Sequence, residues 1–277
     1  MVARLENDMR NLRLILSYDG SEFAGWQVQP GLPTIQGMLS TVLGRLTGEN
    51  VLPQGSGRTD AGVHALAQVV TFATASPIPL GNWRKVLNDN LPPSIRVLEV
   101  SEAPADFHAR KSAQAKTYRY RVYRADVCPP FLAKYVWHYP FPLIETAMSQ
   151  AAGVIVGKHD FTSFAAVDPE RVERIAEQES TVQAGRQESP GEADHGLNNV
   201  RTVFSSQWAR DGEEFVYTVR GNGFLHHMVR NLVGTFLLVG KGTLDCEALR
   251  EILSARDRSS AGATAPASGL YLVGVEY

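Results

Sequence analysis

Apolar and polar residues alternate from Asn11 to Tyr18. Leu12, Leu14, Leu16 and Tyr18 fall on one face and Asn11, Arg13, Ile15 and Ser17 on the other, the period of two of a strand, and Asp19-Gly20 supplies a turn. The period then changes. Thr34 can cap a helix whose apolar positions Ile35, Leu39, Val42, Leu43 and Leu46 share one face, and Gly48 ends it. A strand through Val69, Val70 and Phe72, a helix from Asn82 to Asn90 closed by Pro92-Pro93, and a strand from Ile95 to Val100 complete a β-α-β-α-β order, with room for a short strand near Val51. The second half repeats the order without repeating the sequence. It reads as a strand at Lys116 to Arg124, a helix at Leu143 to Val156, and a hairpin of Val200 to Trp208 with Glu214 to Arg220 around Asp211-Gly212. Helices at Leu225 to Val239 and Cys246 to Ala255 and a strand at Gly269 to Val275 follow. This pattern predicts an α+β fold of two domains, 1–107 and 108–277, each an antiparallel sheet with helices on one face.

Composition adds boundaries. With 277 residues, 44% of them apolar, the chain can build a full core, and no apolar run approaches the ~20 residues of a membrane span. Met1 to Arg10 is polar, and the two cysteines, Cys128 and Cys246, form no CxxC pair, so the expectation is a cytoplasmic protein without a disulfide framework. A formal charge of −2 argues mildly against a nucleic-acid partner until it is divided along the chain. The segment Asp168 to Asn199 is long for a connection, poor in apolar residues, and holds eight acids against three bases, which reads as a surface insertion of net −5. The remainder is then −2 minus −5, or +3, and Ala105 to Arg124 alone carries six bases against Asp106, a strip of net +5.

Several motifs offer chemistry and fail on spacing. Gly221-Asn222-Gly223 has the setting of a dinucleotide fingerprint, but His226 stands where the third glycine belongs. The Gly-Lys pairs at Gly157-Lys158 and Gly240-Lys241 lack the four-residue interval of a phosphate loop. If His226 and His227 are helical they lie ~100° apart, so they are expected to pack separately and hold no metal. Three segments carry more. Gly55-Ser56-Gly57-Arg58-Thr59-Asp60-Ala61-Gly62-Val63-His64 puts a carboxylate and an arginine on a glycine-rich loop before a buried strand, where backbone can approach a ligand closely. By itself this reads first as a turn with a local ion pair. Phe224 to Asn231 sets Arg230 four residues after His226 on an otherwise apolar helix, and a buried guanidinium must be paired or bind an anion. Tyr118 to Arg124 alternates Tyr118, Tyr120 and Val122 against Arg119, Arg121 and Tyr123, which suits a half-buried strand or a surface that stacks a base and neutralises phosphates.

GSGRTDAGVHALAQVVTF (Gly55 to Phe72), DFHARKSAQAKTYRYRVYR (Asp106 to Arg124), GNGFLHHMVRNLVGT (Gly221 to Thr235) and TAPASGLYLVGVEY (Thr264 to Tyr277) resemble, in order, the signature segments of the TruA-type tRNA pseudouridine synthases. GRTDAGVHA is the specific one. Lys111 departs from the pattern, where an apolar residue is more usual, and the acidic insertion has no counterpart in it. The resemblance implies two ferredoxin-like domains whose sheets meet at a central catalytic cleft, a homodimer, no cofactor and no metal. It also implies a tRNA substrate whose uridines at positions 38, 39 and 40 of the anticodon arm become pseudouridine. It assigns the catalytic aspartate to Asp60, the loop arginine to Arg58, the base-stacking tyrosine to Tyr118 and the helix arginine to Arg230.

Physical chemistry extends these expectations. A sugar centre with oxocarbenium character calls for a carboxylate, and Asp60 can serve either as nucleophile at C1′ or as base at C2′. Arg230 beside it would favour the ionised form. Arg110, Lys111, Arg119, Arg121 and Arg124 are expected to meet phosphates. Leu270 either walls the pocket or belongs to the core of the last strand. The competing class is a non-catalytic tRNA-binding or RNA-folding protein with the same basic cleft; a nucleoside hydrolase ranks third.

Overall fold

The computed structural model describes residues 9–166 and 198–277, so the acidic segment lies outside the described residues except for Asn198 and Asn199. The chain is α+β and divides into two units. The described residues up to Phe141, with Trp208–Asn222 and Pro266–Tyr277, form the first unit. Those of Pro142–Gln207 with Gly223–Ala265 form the second.

In the first unit, β1 (Arg10–Tyr18), β3 (His64–Thr74) and β4 (Ile95–Ala103) are joined by helices α1 (Ile35–Thr47) and α2 (Leu80–Asn90), with β2 (Gln54–Gly55) a two-residue strand against β3. The local signals act as expected. Thr34 accepts from the Gly37 N–H at 3.2 Å to start α1, and Gly48, left-handed at φ 74°, returns its N–H to Gly44 O to end it. Leu12, Leu14 and Leu16 are fully buried, and Trp83 of α2 meets Phe72 edge-on at 5.6 Å.

The later strands β5 (Ala115–Tyr123), β6 (Trp137–His138), β9 (Glu214–Gly221) and β10 (Leu270–Glu276) join the same sheet, in the order β4-β1-β3-β10-β5-β9. β10 runs antiparallel to β5 but parallel to β3, pairing Tyr271 with His64 and Leu272 with Ala65, and β6 is parallel to β5. The sheet is therefore mixed, where two separate antiparallel sheets were expected. The division at 107/108 falls inside this unit, because inter-strand hydrogen bonding and not chain order decides which strands share a core.

The second unit holds α3 (Glu145–Val154), β7 (Gly157–Asp160), the first residues of β8 (Val200–Asp211) antiparallel to β7, α4 (Met228–Gly240) and α5 (Cys246–Ala255). α4 is buried along most of its length, and Asp245 caps α5 by accepting from Ala248 N at 2.8 Å. The helix expected from Leu225 begins at Met228. His227 precedes it in the left-handed region at φ 59°, which a helix cannot continue through. His226 and His227 consequently stand before the helix with ring centroids 4.0 Å apart, so neither their ~100° separation nor the His226–Arg230 helical pairing holds.

Candidate active site

The loop carrying Asp60 is tied to the segment after β1 at several points. Tyr18 and Thr59 hydroxyls meet at 2.9 Å, Trp26 N donates to Thr59 O at 2.9 Å, and Gly62 N donates to Phe23 O at 3.3 Å. Gly20 is required there, because a Cβ on it would stand 2.0 Å from Val63 O. Within the loop, Val63 N donates to Asp60 O at 3.1 Å, closing a tight turn around the aspartate. A buried side-chain chain supports the other flank. Ser56 Oγ donates to Gln68 Oε1 at 2.5 Å, and Gln68 Nε2 donates to Gly57 O at 2.6 Å. Arg58 is exposed, its Nε donating to Gln27 Oε1 at 3.1 Å.

β5 also reaches this loop. Lys116 Nζ donates to Ser56 O at 2.6 Å, a charge-assisted bond, and it and the Tyr118 hydroxyl both face Gly57. Tyr118 is 8% exposed. Burial pushes its hydroxyl pKa well above the usual tyrosine value, and the charges of Tyr18 and Asp60 push it further. The phenol therefore keeps its proton at neutral pH and retains a donor. In the second unit, Arg230 on α4 is half-buried, its Nε donating to Ala265 O at 2.8 Å while its carbonyl accepts from Ala265 N at 3.2 Å.

The comparisons with known proteins decide what this loop belongs to. Residues 14–110 and 151–277 match the family model described as tRNA pseudouridine synthase. A tRNA pseudouridine synthase A of Solibacter usitatus (strain Ellin6076) is 49% identical over 269 residues, covering 97% of this chain and 100% of the relative. The chain belongs to the tRNA pseudouridine synthase family. Proteins of the same name from Brevibacillus brevis and Moorella thermoacetica are 45% and 44% identical over 97% and 96% of the chain, and over 100% and 99% of their own lengths. The family match includes Asp60, Arg58, Arg230 and Leu270; Tyr118 lies between its two stretches.

The bases of the strip from Arg110 to Arg124 are not all placed alike. Arg110, Lys111 and Arg119 are exposed. Arg121 is turned inward, its Nε and Nη2 donating to both Glu214 oxygens at 2.7 and 2.5 Å and Nη1 to the Tyr271 hydroxyl at 3.3 Å. This bidentate pair occupies the fork that a phosphate would take, and it holds the guanidinium pKa above its ordinary value. Arg124 donates to Tyr139 O and, at 2.8 Å, to Phe141 O. Leu270 is 6% exposed and pairs with Tyr120 across β10 and β5, a core position.

Sequence reasoning passed over Lys116 and His64. Lys116 lies two residues before Tyr118 and so on the same strand face, a signal that the period of two carries. His64 stands inside the quoted motif; only the fold shows what surrounds it.

Proposed function

We propose that this chain isomerises uridine to pseudouridine in tRNA, at positions 38, 39 and 40 of the anticodon arm, with Asp60 as the acting carboxylate. The observation that supports this most directly is the Asp60 turn, braced on one side by the Tyr18-to-Trp26 segment and on the other by Lys116 and Tyr118 of β5, in a chain of this family. The reaction breaks the C1′–N1 bond, turns the uracil and joins C5 to C1′; a proton leaves C5 and one is gained at N1, so the base gains no atom. In one route the Asp60 carboxylate bonds to C1′ as N1 leaves with the electron pair, and C5 then displaces it. In the other, Asp60 removes the 2′ proton to give a glycal and later returns it. Deuterium at C2′ slows only the second route.

The uridine must leave its stack before the carboxylate reaches the sugar, which costs a few kcal/mol in a paired stem. Tyr118 stacks on the extruded uracil, a contact worth ~1–3 kcal/mol, and Arg58 enters the vacated space or holds a phosphate. Arg230, inside the family match, is the helix arginine that this reading assigns to the reaction. Arg110, Lys111 and Arg119 meet the RNA backbone. Two ferredoxin-like halves, a homodimer and a cytoplasmic location complete this reading.

Asp60→Asn is expected to bind tRNA normally and to release no tritium from tRNA labelled at uracil C5. Release at the wild-type rate would remove Asp60 from the chemistry. Binding with no release by the wild-type protein would instead favour a non-catalytic RNA-binding role.

A further inference from the structure

His64 stands four residues after Asp60, as the first residue of β3, and is 2% exposed. Its ring is enclosed by aromatic neighbours, stacked on Tyr271 at 4.8 Å and tilted against Tyr135 at 5.4 Å. No step of the isomerisation uses it, and its burial keeps it from substrate. We propose that His64 is a positioning residue for the Asp60 loop, acting as the neutral imidazole that accepts at Nδ1 from Gly20 N and donates from Nε2 to Lys134 O. The inference rests on the reading of Asp60 as the acting carboxylate.

The tautomer follows from the partners. Gly20 N lies 3.2 Å from Nδ1 and can only donate, so Nδ1 must offer its lone pair; the proton then sits on Nε2, where Lys134 O at 3.1 Å accepts it. Asp19 Oδ1 also lies 3.3 Å from Nδ1, but it already accepts from Ser21 N at 2.9 Å and Ser21 Oγ at 2.6 Å, while Oδ2 accepts from the Tyr135 hydroxyl at 2.8 Å. Asp19 is satisfied without a proton on Nδ1, and burial opposes a charged ring.

These bonds close a ring of contacts around the catalytic turn. Asp60 O receives Val63 N; Val63 leads into His64; the imidazole takes Gly20 N; and Gly20 lies directly against Val63 O. The imidazole thereby sets the spacing between the turn and the segment after β1. On its other side it ties both to the 134–135 segment through Lys134 O. A shift of ~1 Å in a reacting group can cost about a hundredfold in rate.

Three variants separate positioning from space-filling, each assayed by single-turnover tritium release at saturating tRNA, with tRNA affinity and thermal unfolding measured alongside. His64→Asn keeps an acceptor near Nδ1, His64→Gln keeps a donor near Nε2, and His64→Phe keeps the ring alone. The expected result is Asn within about threefold of wild type, and Gln and Phe slower by about tenfold or more, with tRNA affinity unchanged. Phe at the wild-type rate, or Asn no faster than Gln, would overturn the proposal. If Phe does not fold, the Asn and Gln comparison decides by the same rule. Asp60→Asn in the same assay keeps the two readings apart: activity there defeats the role of Asp60, whereas an inactive Asp60→Asn beside a fully active His64→Phe defeats only the role of His64.

Discussion

At the scale of single residues, two predictions concern groups that only their surroundings make important. Lys116 places an ammonium on the carbonyl of fully buried Ser56 at 2.6 Å. Lys116→Met removes that bond, at a cost of about 1.5–3 kcal/mol for a hydrogen bond to a charged group. A lowered melting temperature and a slower single turnover are expected; an unchanged melting temperature would show that the ammonium does not hold the loop. His64 gives a pH dependence whose sign can be worked out. Burial depresses its pKa below the ordinary 6.5, against the pull of Asp19's charge and the carbonyls of Lys134 and Ser268. Tyr135 and Tyr271, with Arg121 behind Tyr271, complete the polar groups around it. The folded state thus binds fewer protons here than the unfolded chain. Stability from this site is fully present above about pH 6.5 and is lost as pH falls from there through the folded pKa. At Asp19 burial acts to raise the pKa, but hydrogen bonds from Ser21 and Tyr135 together outweigh it, so its contribution is lost in a separate window below 3.8. Urea unfolding of His64→Asn between pH 8 and pH 5 should show a flatter acid limb than wild type; an identical slope would count against the assignment. Asp60, Arg58 and Tyr118 stand in motifs visible in the sequence, whereas the inward turn of Arg121 was not legible there, because its partner Glu214 lies 93 positions away.

At the scale of elements, caps and periodicity identified most helices and strands, since their causes are local. The start of α4 was misplaced by three residues because apolar spacing continues through Leu225, while the left-handed turn at His227 depends on tertiary packing. α4 carries Arg230, and its position depends on close packing against the 261–265 loop. A Cβ at Gly234 would lie 1.8 Å from Ala263 O, and that loop also accepts from Arg230 at Ala265 O. Gly234→Ala must therefore push backbone from backbone, with an expected cost of about 1–3 kcal/mol and a loss of turnover. Gly153→Ala, in α3 with open space around it, is the control and should be neutral or stabilising by up to about 1 kcal/mol. Equal melting temperatures for the two variants would show that the loop yields without cost.

At the scale of the whole molecule, charge is unevenly placed. Replacing Arg110 and Lys111 with alanine should make the salt dependence of tRNA binding shallower, by about 0.7–0.9 for each phosphate that is no longer neutralised; an unchanged slope would place these bases away from the RNA. Neutralising the acids of the net −5 segment should strengthen binding to nonspecific RNA, and unchanged affinity would end the idea that it limits such binding. The amino-acid sequence by itself determined the α+β class, most elements, the division of charge and the motif that marks the family, because periodicity, capping and a contiguous loop are local properties. Only the tertiary structure decided that the sheet is mixed, that β10 lies beside β3 and brings Tyr271 onto His64, and that Arg121 serves Glu214. Each of these depends on which distant strands hydrogen-bond to one another, and strand pairing between segments far apart in sequence leaves no local trace in the chain.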